Sequence, residues 1–171
     1  MARLVLTAEP LSRAAFTPFG DVIETAGSRS FEINDGFATR HHDLAQLDLL
    51  EAGGRPLLNI FHAKPWPQPI RIRLLERHPL SSQAFMPLGA RPFLVVVAPP
   101  GETPAPGDIR AFLTNGRQGV NFHRGVWHHP LLVLGQDADF LVVDRGGEDE
   151  NCDLFHFDET GDEVELAPIP G

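Results

Sequence analysis

The chain has one cysteine, Cys152, among its 171 residues, so no disulfide within the chain can brace it. A chain of this length buries roughly two-thirds of its unfolded surface and needs no such brace, and a lone thiol fits a reducing cytosol. Long apolar runs are also missing. No stretch of about 18 apolar residues occurs, and Met1 to Pro10 lacks a cationic segment leading into an apolar one, which argues against a membrane span and an export signal. Positive charge is scarce: 14 Lys+Arg face 23 Asp+Glu for a net charge of −9, which opposes attraction to phosphate backbones and anionic lipid. Windows long enough for a helix are few as well, because 16 Pro and 16 Gly are spread along the chain.

What remains is the pattern of a β protein in a single domain, 1–171. One early helix is expected over Phe37 to Ala52, or half that length, from Leu44, Leu47 and Leu50 with Gly53-Gly54 as a stop. The apolar runs beyond it have strand length: Leu57 to Phe61, Ile70 to Leu75, Gln83 to Leu88, Phe93 to Ala98, Ile109 to Leu113, Gly119 to Phe122, Leu131 to Leu134 and Phe140 to Asp144. Turn signals such as Pro99-Pro100-Gly101 and Asn115-Gly116 separate them. Eight short strands at this spacing predict a jelly roll or another sandwich or barrel. From Glu148 to Gly171 the acid- and proline-rich sequence reads as a loop with one edge strand and a loose tail.

Six of the eight histidines fall into short groups: His41 and His42, His78, and His123 with His128 and His129. Imidazole exchanges protons and binds transition metals near neutral pH, so such grouping raises the prospect of a site. Around His78, the residues Glu76, His78 and Leu80 alternate onto one side of an extended segment, and Gln83 and Phe85 share a face after the turn at Ser81-Ser82. Glu76, His78 and Gln83 can therefore meet inside a barrel; equally, Glu76 and Arg77 would serve as solvated edge charges and Gln83 as a turn amide. In the second group, Asn121, His123 and Gly125 alternate, and the glycine permits a turn that resets the register before Trp127, His128 and His129. Trp127 would wall a nearby base and draw its pKa toward neutrality.

Pro18-Phe19-Gly20-Asp21-Val22-Ile23, Leu75-Glu76-Arg77-His78-Pro79, Gln83 to Leu88, Gly119 to Pro130 and Phe140 to Gly147 together resemble the ureidoglycolate lyase family, also called ureidoglycolate hydrolase. The resemblance spans most of the chain. It implies a cupin-type double-stranded β-helix with a few short helices, a homodimer acting in the allantoin branch of purine breakdown, and cleavage of ureidoglycolate to glyoxylate and urea. It also implies an association with divalent nickel and no organic cofactor. The cupin pattern of His-x-His with a downstream Glu is matched here only by His78 and Gln83, while Gly125-Val126-Trp127-His128 resembles the second motif. An amide for a carboxylate and one imidazole fewer predict a weak, exchangeable metal site drawn from His78, Gln83, His123 and His128.

Ureidoglycolate is a carbinolamide that falls apart when its hydroxyl loses a proton and its urea nitrogen gains one, so the chemistry needs no nucleophile. His78 is expected as the base or metal-polarised partner, with His128 as its companion, Glu76 and Gln83 orienting them and His123 as an alternative acid. Arg40 and His42 form the best available clamp for the substrate carboxylate, since an Arg fork matches it bidentately; as surface charges they would be equally ordinary. Phe85, Asn121 and Trp127 complete the expected substrate pocket. A non-catalytic small-molecule-binding jelly roll and a metal-dependent cupin dioxygenase or isomerase are the rival classes, the latter asking for a fuller His/Glu ligand set.

Overall fold

The computed structural model describes residues 1–169. Sixteen strands dominate among these residues. The first eight are β1 (Arg3–Leu6), β2 (Glu9–Pro10), β3 (Gly20–Ile23), β4 (Ser30–Ile33), β5 (Ala38–His41), β6 (Arg55–Ala63), β7 (Leu74–Arg77) and β8 (Gln83–Pro87). The rest are β9 (Phe93–Ala98), β10 (Arg110–Leu113), β11 (Gly119–Phe122), β12 (Trp127–His128), β13 (Leu132–Val133), β14 (Ala138–Gly146), β15 (Asp153–His156) and β16 (Glu163–Leu166). One sheet has the order β15-β7-β12-β9-β10-β2 with β13 also on β9, and the other runs β3-β11-β8-β14-β6. They face each other as a cupin-like β-sandwich. Two short helices, α1 (Arg13–Phe16) and α2 (Phe157–Thr160), close its flanks.

The period-2 alternation of β9 explains the layering. Phe93, Val95 and Val97 point into the space between the sheets with Phe85, Val120, Phe122, Phe140 and Val142. Leu94, Val96 and Ala98 point the other way, into a second core with Trp127, Phe157, Val164 and Leu166. β9 is thus buried on both faces, and its unbroken apolar run is what such a strand requires. Each fully buried Phe, Leu or Val contributes about 1.5–3 kcal/mol.

The expected helix over Phe37 to Ala52 does not form. Its first residues build β5, paired with β4, and residues 42–50 run as an extended strap across the outer face of the β3-β11-β8-β14-β6 sheet. The sheet takes the backbone groups that a helix would use: Gln46 N donates to Asp21, Asn121 donates to Gln46 O, Asp48 N donates to Ser82 Oγ, and Arg145 donates to the carbonyl oxygens of Glu51 and Ala52. Asp43 and Ala52 take left-handed φ values of 56° and 51°, which a helix excludes. Leu44, Leu47 and Leu50 share no buried stripe; Leu49 alone is buried.

The stretch from Glu148 also departs from the loop and loose tail expected of it. β15 pairs with β7, and β16 pairs in parallel with β1 while covering the second core. The tail's last residues, 170–171, lie outside the described residues.

Candidate active site

Strand β7 delivers Glu76, the turn after it delivers His78, and β8 begins with Gln83 on the opposite sheet, so the sequence Leu75 to Gln83 crosses one end of the sandwich. His128 lies directly across from Glu76 in the β12–β7 pair. Gly125, at φ 77°, makes the turn that sends β12 back, closed by Val126 N donating to His123 O and tied to the site by Gly125 N donating to His78 O. Glycine suits this left-handed position. The expected register change in this segment is therefore real, and it leaves His123 on Asp21 and His128 stacked on Phe122.

His128 is fully buried, its ring stacked on Phe122 with centroids 4.2 Å apart and planes 4° apart. Nδ1 donates to Val126 O at 3.1 Å, which fixes the tautomer and leaves Nε2 with its lone pair. Nε2 lies 3.4 Å from Glu76 Oε1 without hydrogen-bond geometry and has no partner. Burial holds the imidazole below the ordinary 6.5, and the neighbouring Glu76 only partly offsets this. For Glu76 burial acts upward, but the contact with His128 and the fields of His78 and His129 bring its carboxyl below 4.5. The pair is thus a carboxylate beside a neutral imidazole.

His78 sits 5.2 Å from His128, ring centre to ring centre. Its Nδ1 is 2.6 Å from Asn151 O and its Nε2 is 3.0 Å from Gln83 Oε1. Both neighbours are acceptors, a backbone carbonyl and a carboxamide oxygen, so each can receive a proton carried on the nitrogen it faces. Gln83 is oriented in turn: its Nε2 donates to Asp144 Oδ2 at 3.3 Å, and Asn59 donates to Asp144 Oδ1 at 2.9 Å. Asn151 also accepts from Leu80 N and donates to Ser81, so the segment expected to be loose holds the His78 turn in place.

Glu76, His78 and His128 each offer a ligand atom within 4.8 Å of the others, a group that could hold a metal ion. The residues fit such an ion: the set is two imidazoles and a carboxylate, and the buried lone pair of His128 Nε2 is directed at it unused. Glu76 supplies the carboxylate that the cupin pattern places where this chain has the Gln83 amide. His123 is absent from the set.

The remaining expected residues scatter. His123 donates to Asp21 at 2.9 Å, and Asn121 donates to the same carboxylate, on the outer face of the sheet under the strap. They face outward because Val120 and Phe122, their neighbours in alternation, face in. Phe85 lies in the interior against Phe61 and Phe122, the latter being the ring stacked on His128. Trp127 points into the second core, against Phe155 and under the Arg77 guanidinium, and so walls nothing near His128. Arg40 is exposed on the β4–β5 hairpin, and His42 packs on Phe31 beside Arg13 and Arg29; neither contacts the group around Glu76. Asp144 and Asn59 escaped notice in the sequence, yet alternation carries the signal. In Phe140-Val142-Asp144 and Leu57-Asn59-Phe61 a polar residue holds an inward register. The Cys152 thiol lies 3.9 Å from Glu76 Oε2, and burial together with that carboxylate pushes its pKa up, which keeps it protonated.

The family described as Ureidoglycolate lyase matches residues 3–165. The chain belongs to the ureidoglycolate lyase family. Relatives named ureidoglycolate lyase include one from Pseudomonas aeruginosa, 58% identical over 154 residues that cover 90% of this chain and 91% of the relative. One from Azotobacter vinelandii is 56% identical over 155 residues, 91% of this chain and 93% of its own. One from Burkholderia mallei is 58% identical over 155 residues, covering 91% of each. Family membership thus reaches from β1 into β16 and includes the whole Glu76–His78–His128 group. No helix among the described residues is long and apolar enough to cross a membrane.

Proposed function

We propose that this protein is a ureidoglycolate lyase that cleaves ureidoglycolate to glyoxylate and urea in allantoin and purine breakdown, with Glu76, His78 and His128 as its reaction centre. One observation carries the placement: a buried, neutral imidazole with a free lone pair, His128 Nε2, beside His78, whose two ring nitrogens each face an acceptor oxygen. This reverses the expected roles. His128 takes the hydroxyl proton of the carbinolamide, the new carbonyl forms as the C–N bond breaks, and the bonding electron pair passes to the urea nitrogen. That nitrogen takes its proton from His78. Glu76 stabilises the imidazolium formed at His128, and Phe122 and Phe85 keep bulk water from the two rings.

The same lone pairs favour a second reading with a divalent ion, nickel being the one the resemblance implies. Held by Glu76, His78 and His128, such an ion would polarise the hydroxyl and anchor the substrate carboxylate, for which no Arg among the described residues bonds to this group. To bind there, His78 must give up the proton it donates to Gln83. The test is to incubate chelated and nickel-loaded protein with ureidoglycolate and to measure glyoxylate, urea and ammonia separately. Equal urea and glyoxylate are expected; ammonia as the main nitrogen product defeats the lyase reading. Full turnover by verified metal-free protein assigns the proton transfers to side chains alone.

A homodimer in the cytosol belongs to the same reading. Leu58 and Ile60 point outward from β6 at 71% and 65% exposure, beside outward-facing Leu141 and Val143 of β14. A second copy covering this apolar face explains it. Sedimentation that returns the mass of one chain, 18.8 kDa, would rule that out.

A further inference from the structure

The geometry points to Asp144 as a positioning residue that makes Gln83 present an acceptor, rather than a donor, to the reaction centre. The inference rests on placing the reaction at Glu76, His78 and His128. A carboxamide has two ends of nearly equal shape and opposite hydrogen-bonding sense, so its orientation is set by its neighbours. Asp144 can only accept. It holds the Gln83 amino group at 3.3 Å and is itself held by Asn59 at 2.9 Å, and this turns Gln83 Oε1 toward His78 at 3.0 Å. Gln83 is 6% exposed, so its amide is bonded within the fold rather than by bulk solvent.

The consequence is a wall of acceptors. Gln83 Oε1 keeps a second lone pair after accepting from His78, and with the Glu76 carboxylate it faces a site whose substrate carries ureido N–H groups. A ureido group donates where an ester or a second carboxylate does not, so the Asn59–Asp144–Gln83 chain is the specificity element for that end of the substrate. A flipped Gln83 would set its amino group against His78 and against the substrate, donor to donor.

The test exchanges the amide and the acid. Asp144→Asn lets Gln83 flip, and Gln83→Glu sets two carboxylates 3.3 Å apart; each alone is expected to lower kcat/KM by about 10–100-fold, the range for groups that orient a reacting one. Combined, the new amide at 144 donates to the new carboxylate at 83, which still presents oxygen to His78. The double variant is expected to exceed either single variant by at least about tenfold. A merely structural contact does not predict that recovery. A readout independent of turnover is the Gln83 side-chain amide resonance pair in the nitrogen–proton NMR spectrum, identified by its loss in Gln83→Glu and expected to shift in Asp144→Asn.

Asp144→Asn within about twofold of the parent, or a folded double variant no better than the singles, overturns the proposal. If Asp144→Asn fails to fold, the double variant decides alone, since it restores donor to acceptor and must both fold and turn over. If His78→Ala and His128→Ala keep full activity, the reaction lies elsewhere, and the amide resonances then test the orientation of Gln83 by themselves.

Discussion

Glu76–His128 and Asp21–His123 are both acid–imidazole pairs, one in the space between the sheets and one on the outer face. In the outer pair the atoms meet at 2.9 Å, and the carboxylate also accepts from Asn121 and from Gln46 N. Burial raises the Asp21 pKa, but these bonds outweigh it and bring the carboxyl below 3.8. Every role of that acid is filled, and what it does is pin the strap to the sheet. In the inner pair the contact is 3.4 Å and unaligned, and His128 Nε2 has no partner at all. A buried polar atom left without a partner costs about 1–3 kcal/mol, and the fold carries that cost here. The satisfied pair is architecture, and the unsatisfied one is where substrate or metal completes the bonding.

The sharpest way to break this contrast is substitution. His128→Ala and His78→Ala are each expected to lower turnover by about two to four orders of magnitude in folded protein. His123→Ala is expected to leave turnover within about threefold and to cost about 0–1 kcal/mol in urea unfolding, since its side chain is 42% exposed. Equal losses from His123→Ala and His128→Ala would erase the distinction.

A smaller effect is expected in the dependence of stability on pH. His128 is held below 6.5, so on acidification the unfolded chain takes up a proton that the folded one refuses. Its contribution is complete above pH 6.5 and falls as pH drops through that value, at no more than about 1.4 kcal/mol per pH unit. His129, 5% exposed, is also held below 6.5 by burial and adds to the trend. His62, hydrogen-bonded on the surface by Asp139 and Asp137, has its pKa raised and works the opposite way: its contribution is present below 6.5 and lost as pH rises. The buried rings are expected to win, so thermal unfolding should show a lower Tm at pH 5 than at pH 7.5. A Tm unchanged over that interval would mean that the buried rings do not outweigh His62.

Strand positions were legible in the sequence because alternation and turn residues are local. Gly119–Phe122 and Phe93–Ala98 form as expected, and Leu57–Phe61 and Phe140–Asp144 form within longer strands. The strap was not legible, because Leu44, Leu47 and Leu50 imitate helical spacing while the groups that unwind the segment, Asp21, Ser82, Asn121 and Arg145, come from four other strands or turns. Convergence of Glu76, His78 and Gln83 followed from period 2 and one turn. The place of His123 did not, because Gly125 fixes a turn without saying on which side of the sheet each imidazole ends. Asn151 was hidden most deeply: its acidic surroundings read as a tail, and only pairing of β15 with β7 brings it to His78.

The pairing of β1 with β16 has a consequence for how the protein is made. Arg3 lies opposite Glu163, and Ala2 N donates to Asp162, a contact across 160 residues. Val164 and Leu166 belong to the second core, which also packs one face of β9. A chain emerging from the ribosome therefore holds β9 with one apolar face uncovered until Val164 and Leu166 have been translated. Contacts of such separation are slow to form and leave partly built sheets open to association. Protection by a chaperone matters most in that interval, and truncation a few residues before Val164 would prolong it indefinitely.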